Sequence, residues 1–131
     1  MKLIRGRQAA AASEQRSATF TGSVWADPVM PSQDGVTIAT VFFLPEGRTH
    51  WHHHEWGQVL FVTHGRGFVQ VKDGEGGWVE PGDVVHFGPG EVHWHGAGPE
   101  TFLAHTAISL GRTDWLDEVS ADDYRRSTAG R

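Results

Sequence analysis

His52-His53-His54-Glu55-Trp56-Gly57-Gln58, continued to Gly65, reads H-x-H-x3-Q-x6-G. Side chains alternate across an extended strand, so His52 and His54 share one face and His53 points to the other. Gly57 then allows a bend, and a strand returning beside the first can aim the Gln58 amide oxygen at the same point. A second block, from Gly82 to His93, has turns at Gly82-Asp83 and Gly88-Pro89-Gly90 and delivers one more imidazole from a distant strand. All nine histidines lie between His50 and His105, so the chemistry is concentrated in the middle of the chain.

Outward from this stretch the chain keeps a period of two. Val36, Ile38, Thr40, Phe42 and Leu44 alternate with Thr37, Ala39, Val41 and Phe43, and the largely apolar character of both sets predicts a strand covered on both faces. Gln58 to Thr63, Gly67 to Val71, Val84 to Phe87 and Thr101 to Leu110 are further strand candidates, rich in β-branched and aromatic residues. Turn signals separate them at Pro45-Glu46-Gly47, His64 to Gly67, Asp73-Gly74, Glu80 to Asp83 and Gly88 to Gly90. Many short strands punctuated by Gly and Pro point to an all-β sandwich or barrel. Only the end of the chain reads as helix: Asp114 to Val119, then Ala121 to Arg126 behind Ser120 as N-cap.

With 131 residues the chain suits a single domain, here 19–126, flanked by a loose N-terminal arm (1–18) and a short tail (127–131). A net charge of -5, with no basic run beyond Arg125-Arg126, argues against nucleic acid or an anionic membrane as partner and for a small-molecule substrate. Lys2, Arg5 and Arg7 before Ala9 to Ala12 give only a faint signal-peptide pattern, so a cytoplasmic location is expected. The absence of cysteine leaves nitrogen and oxygen as the metal ligands.

His52, His54, Gln58 and His93 are the set in which ligand type, strand parity and flanking turns agree, and they are read as a metal site. His50 and His52 also make an H-x-H pair, but Trp56 stands where the next ligand would be. His50, His53, His64 and His86 share neither face nor spacing with the set and read as ordinary structural or surface histidines. Three imidazoles and an amide leave the charge of a divalent ion uncompensated, which strengthens its Lewis acidity and disfavours its oxidation. Such ligands suit Mn(II), Fe(II), Co(II) or Ni(II), with Zn(II) also accommodated.

The two blocks resemble the motifs of the cupin superfamily, G-x5-H-x-H-x3,4-E-x6-G and G-x5-P-x-G-x2-H-x3-N. Here they run through Gly47, His52, His54, Gln58 and Gly65, then Gly82, Pro89-Gly90 and His93; Gly47 sits one residue late, and Gln58, Gly88 and Ala97 replace the motif's Glu, Pro and Asn. From about Thr19 to Arg126 the chain looks like the small bacterial cupins that include manganese-dependent hydroxynitrile lyases, through Phe20-Thr21-Gly22, Arg48-Thr49, Trp51-His52, Gly57-Gln58, Pro81 to Val85, Pro89 to Glu91, His93 to Ala97 and Trp115. The resemblance implies a jelly-roll barrel with a short C-terminal helical tail, Mn(II) on His52, His54, Gln58 and His93, and pocket histidines at His95 and His105.

Strand parity agrees with that carry-over. His95 shares a face with His93, and His105 is the polar exception in the row Leu103, Ala107, Ser109, which makes it the expected general base. Ala39 and Val41 are expected to form an apolar pocket wall, with Ser109 beside them. The resulting expectation is a metal-dependent lyase that makes or breaks a C–C bond next to a hydroxyl or carbonyl, with cyanohydrin cleavage to aldehyde and cyanide as the best-specified case. Alternatives are an oxygen-activating dioxygenase, a non-catalytic metal or small-ligand module, and a sugar-acid isomerase. A homodimer, or a multiple of one, is expected through an open edge at the strand around Thr19 to Trp25.

Overall fold

Turn residues, more than charge, divide this chain into its elements. The computed structural model describes residues 1–6 and 12–130, so all of the alanine stretch except Ala12 lies outside the described residues. The strands are β1 (Glu14–Arg16), β2 (Phe20–Thr21), β3 (Val24–Gln33), β4 (Val36–Phe43), β5 (Arg48–Thr49), β6 (His52–His54) and β7 (Gln58–Gly65). They continue as β8 (Gly67–Val71), β9 (Gly76–Val79), β10 (Val84–Phe87), β11 (His93–Ala97), β12 (Leu103–Leu110) and β13 (Thr113–Trp115), before the single described helix α1 (Ala121–Thr128).

Two antiparallel sheets face each other as the expected jelly-roll barrel. One runs β1-β3-β4-β12-β7-β10; the other runs β13-β6-β11-β5-β2, with β8 paired to β11 and β9 to β8. Inward side chains from both fill one end with Val24, Ala26, Val41, Phe43, Val62, Val79, Ala97 and Leu103, while Leu60, Phe87 and Ala107 form a smaller cluster elsewhere in the interior. Complete burial of a side chain such as Phe43 or Leu103 contributes about 1.5–3 kcal/mol, so the barrel has its own core independent of any metal.

The helical tail is tied to the outside of the second sheet. Tyr124 packs with Phe68, Trp94 and Val119 and donates to the Ala97 carbonyl at 2.8 Å; the buried Arg48 guanidinium lies 4.4 Å over its ring and donates to the Val119 carbonyl. Ser120 caps the helix by accepting from Asp123 N–H at 3.0 Å, as the sequence predicts. The helix runs on to Thr128, past the expected domain limit at 126.

Four expectations are corrected. Asp114 to Val119 is not helical: Thr113–Trp115 pairs with His54, His53 and His52, because the free backbone of β6 offers a ladder that a short, weakly periodic segment accepts. Glu14–Arg16, inside the stretch read as a loose arm, is hydrogen-bonded along β3. The expected open edge from Thr19 to Trp25 is covered only in part, since β1 pairs along Val24 and Trp25 while β2 pairs with β5 on one side and ends its sheet. Finally, β4 is not covered on both faces along its whole length: residues 36–40 are part-buried on either face, but at its end Val41 and Phe43 are buried whereas Phe42, and Leu44 just beyond, are 38% and 49% exposed. The long β3 escapes the reading for most of its length because Pro28 and Pro31 mark it as irregular, and its register with β4 slips between Pro28 and Met30 and again before Gln33. No helix among the described residues is long and apolar enough to cross a membrane.

Candidate metal centre and cavity

His52 on β6 and His93 on β11 stand directly opposite each other across a strand pair, with ring centroids 4.3 Å apart. His54, two residues along the same face of β6, lies 5.0 Å from His52 and 5.7 Å from His93, centroid to centroid. Gln58 begins β7 after the Gly57 bend. Gly57 has φ 100°, and a Cβ there would sit 2.7 Å from the Phe87 carbonyl, so glycine both makes the turn and lets β7 approach β10. The Gln58 amide oxygen thereby comes 3.0 Å from His93 Nε2.

The outer nitrogens fix the rings. His52 Nδ1 lies 2.9 Å from the His50 carbonyl and His93 Nδ1 2.8 Å from the Glu91 carbonyl. A carbonyl only accepts, so each Nδ1 carries its ring's hydrogen and each Nε2 presents a lone pair. His54 Nδ1 is held by Thr113 Oγ1 at 2.9 Å, and its Nε2 is buried without a partner. Gln58 donates from its amide nitrogen to Ser109 Oγ at 3.0 Å, which leaves its oxygen facing His93. Two acceptors thus confront each other at 3.0 Å with no hydrogen between them, an arrangement that a bound cation would relieve.

Burial keeps these rings neutral. It lowers the pKa of His93 to about 3 and of His54 to about 4, and depresses His52 strongly, with His93 adding repulsion there. A neutral imidazole is the form that binds metal. The donor atoms of His52, His93 and His95 all lie within 4.8 Å of one another, so these three histidines form a group able to hold a divalent ion. His95, expected on the face of His93 as a pocket histidine, thus also belongs to a group able to hold the ion, while His54 and the Gln58 amide oxygen lie close to His93 as well.

His95 and His105 form a pair of their own. His105 Nε2 is 2.9 Å from His95 Nδ1, and His95 Nε2 and His105 Nδ1 are buried without partners. His95 lines a cavity of about 430 Å³ together with His52, His54 and Gln58, while His105, fully buried, stands behind it. Burial lowers His105 to about 4 and, with His105 as neighbour, depresses His95 further. Phe43 packs edge-on to His95, and Phe87 stacks on His93 with centroids 3.5 Å apart. Ala39, Val41 and Ser109 line the cavity where parity places them.

Other lining residues escape the sequence reading. Thr49 accepts from His95 N–H, and Trp115, quoted only for its likeness, packs against the His52 ring at 4.5 Å. Thr113 carries no signal, being a lone polar residue in a segment read as the approach to a helix. Residues 15–20 also line the cavity, brought there by the pairing of β1 with β3 and of β2 with β5. His53 points away from the metal group toward Asp114, 3.6 Å from its carboxylate, and His64 and His86 are exposed.

No family model matches the chain. An (R)-mandelonitrile lyase from Granulicella tundricola is 45% identical over 113 residues, which cover 82% of this chain and 86% of that one. A crystal structure of a cupin-like protein from Thermotoga maritima superposes with a TM-score of 0.87 at 36% identity, covering 95% of this chain and 99% of its own. A polyketide cyclase from Streptomyces resistomycificus shares the fold at a TM-score of 0.72 and 19% identity, over 95% of this chain and 92% of its own.

Proposed function

The chain belongs to the small bacterial cupins, and from that membership we propose that it is a metal-dependent lyase acting on a C–C bond next to a hydroxyl, with cyanohydrin cleavage as its best-specified reaction. The 45% identity to a mandelonitrile lyase supports the reaction class. The observation that carries the reading is the inward set of lone pairs, on Nε2 of His52 and His93 and on Gln58 Oε1, with the buried, unpartnered Nε2 of His54 nearby and a hydrogen-bonded imidazole pair beside them. These four side chains are the proposed ligands, and Mn(II) the proposed ion. Bound there, the metal would supply Lewis acidity toward the substrate oxygen, undiminished by any carboxylate ligand.

The protein's own part is proton transfer and exclusion of water. With Nδ1–H of His95 donating to His105 Nε2, His95 Nε2 offers a lone pair to the cavity. In the proposed reaction it takes the hydroxyl proton of the cyanohydrin, in place of His105, the base expected from the sequence, which is fully buried and does not line the cavity. The C–C bond then breaks with its electron pair leaving on cyanide, the C–O bond becomes the aldehyde carbonyl, and cyanide recovers the proton as hydrogen cyanide. His105 stabilises the protonated His95 by accepting its Nδ1–H, and the pKa depressed by burial favours return of the proton. Ala39, Val41 and Ala107 give an apolar wall for the aldehyde's substituent.

The test combines elemental analysis of protein from unsupplemented cells with mandelonitrile cleavage under air and under nitrogen. Cleavage that survives without oxygen and disappears after chelation supports the lyase. Full metal occupancy without cleavage of any cyanohydrin in a broad panel would sink it, and turnover only in air would favour an oxygen-activating enzyme.

A further inference from the structure

We propose that Arg16 reads an anionic group on the substrate, so that the cavity takes a small hydroxy or oxo compound that also carries a carboxylate. The reacting end of this assignment rests on the lyase reading; the anion-reading end rests on a separate observation. β1 lies along β3 with Arg16 opposite Val24 and Glu14 opposite Ala26. Directly paired residues of an antiparallel sheet share a face, and Val24 and Ala26, 0% and 2% exposed, face the barrel interior. Arg16, its side chain 42% exposed, stands at the mouth of the barrel, where it lines the same cavity as His52, His54 and Gln58.

Among the described residues lining that cavity Arg16 is the lone Lys or Arg, and no Asp or Glu accompanies it. A guanidinium at the edge of apolar walls such as Ala26, Ala39 and Val41 focuses positive potential into the space where the substrate must lie. Its ion pair engages one nitrogen, Nη2, with Glu14 Oε1 at 3.3 Å, and the Glu14 side chain is 55% exposed. A partly exposed pair of this kind contributes little to stability, whereas a guanidinium meets a carboxylate best through two parallel hydrogen bonds. Glu14 thus occupies Arg16 loosely, and a substrate carboxylate entering the cavity displaces it. The distance of Arg16 from the metal group along the sequence hid this role, which the pairing of β1 with β3 creates.

The test measures binding without turnover. Titration calorimetry on the metal-loaded protein compares 4-(hydroxymethyl)benzoate with benzyl alcohol, and kcat/KM compares 4-carboxymandelonitrile with mandelonitrile. Arg16→Gln should lower the carboxylate-to-neutral affinity ratio by about 10- to 100-fold, the loss expected for hydrogen bonds to a charged group. Arg16→Lys should restore part of it, Glu14→Gln should raise it by removing the competing carboxylate, and Arg125→Gln on α1 should leave it unchanged. A ratio equal in the parent and Arg16→Gln overturns the proposal, as does a Glu14→Gln variant that loses preference as Arg16→Gln does. If no cyanohydrin is cleaved but binding of the benzoate still depends on Arg16, the lyase reading fails and the anion site stands.

Discussion

At the scale of single residues, the site divides into side chains that face the metal group and side chains that face the substrate. His54 ends in a buried, unpartnered Nε2, and His95 ends in another, but His95 Nδ1 is already engaged by His105. His52→Ala and His54→Ala are therefore expected to lose most bound metal, whereas His95→Ala keeps it; full occupancy in His54→Ala by elemental analysis would transfer the ligand role to His95. His95→Ala should also lose about 10²- to 10⁴-fold in turnover, the range for a positioned base, and His105→Asn, which removes the partner that orients His95, should retain metal and lose about 10- to 100-fold, while His53→Ala, paired outward with Asp114, should change neither metal nor turnover. The metal-free protein should also become acid-sensitive. The unfolded chain protonates His105 near its ordinary value of 6.5, the folded chain only at about 4, because burial disfavours the charged ring. Between those values the unfolded state binds more protons, so stability is intact above about 6.5 and falls with pH by up to about 1.4 kcal/mol per unit for each such histidine. Thermal unfolding after chelation should show the transition dropping from pH 7 to pH 5, with a shallower drop in His105→Asn; identical midpoints would contradict the assigned burial effect.

At the scale of elements, the turn between β6 and β7 decides whether Gln58 arrives. Its glycine was legible as a bend, but the reason only glycine fits is the Phe87 carbonyl on β10, a contact made thirty residues later in the chain. Gly57→Ala should strain a backbone at φ 100° and push β7 away from β10, lowering metal affinity by about 10- to 100-fold, the loss typical when the support of a ligand is disturbed. Competition with a chelator measures this; unchanged affinity would mean that Gln58 is not held by the turn. The helix shows the opposite case. Ser120 and the acidic first turn, Asp122 and Asp123, suffice to start α1 where the sequence places it, because capping is local. The segment before it was misread because the choice between helix and strand for Asp114 and Trp115 was made by the unpaired edge of β6, which no local pattern reveals.

At the scale of the molecule, the outer face of the first sheet is where the isolated barrel looks incomplete. Trp25 and Phe42 are paired across β3 and β4, and with Leu44 and Phe102 they form an apolar surface, each 38–49% exposed. We propose that two copies pack through this face as a homodimer, in place of the edge expected around Thr19 to Trp25. Light scattering should give twice the monomer mass at micromolar concentration, and Phe42→Glu should shift it to the monomer; a parent protein that is already monomeric would refute this. Period-two alternation, turn residues and the H-x-H-x3-Q spacing by themselves determined an all-β sandwich or barrel, the shared face of His52 and His54, and the inward aim of His93, His95, Ala39 and Val41, because strand parity is a property of neighbours in the chain. Only the tertiary structure decided that His105 stands behind His95, that β1 brings Arg16 to the cavity, and that β13 supplies Thr113 to His54, because each depends on which strand pairs with which across distances that local alternation cannot encode.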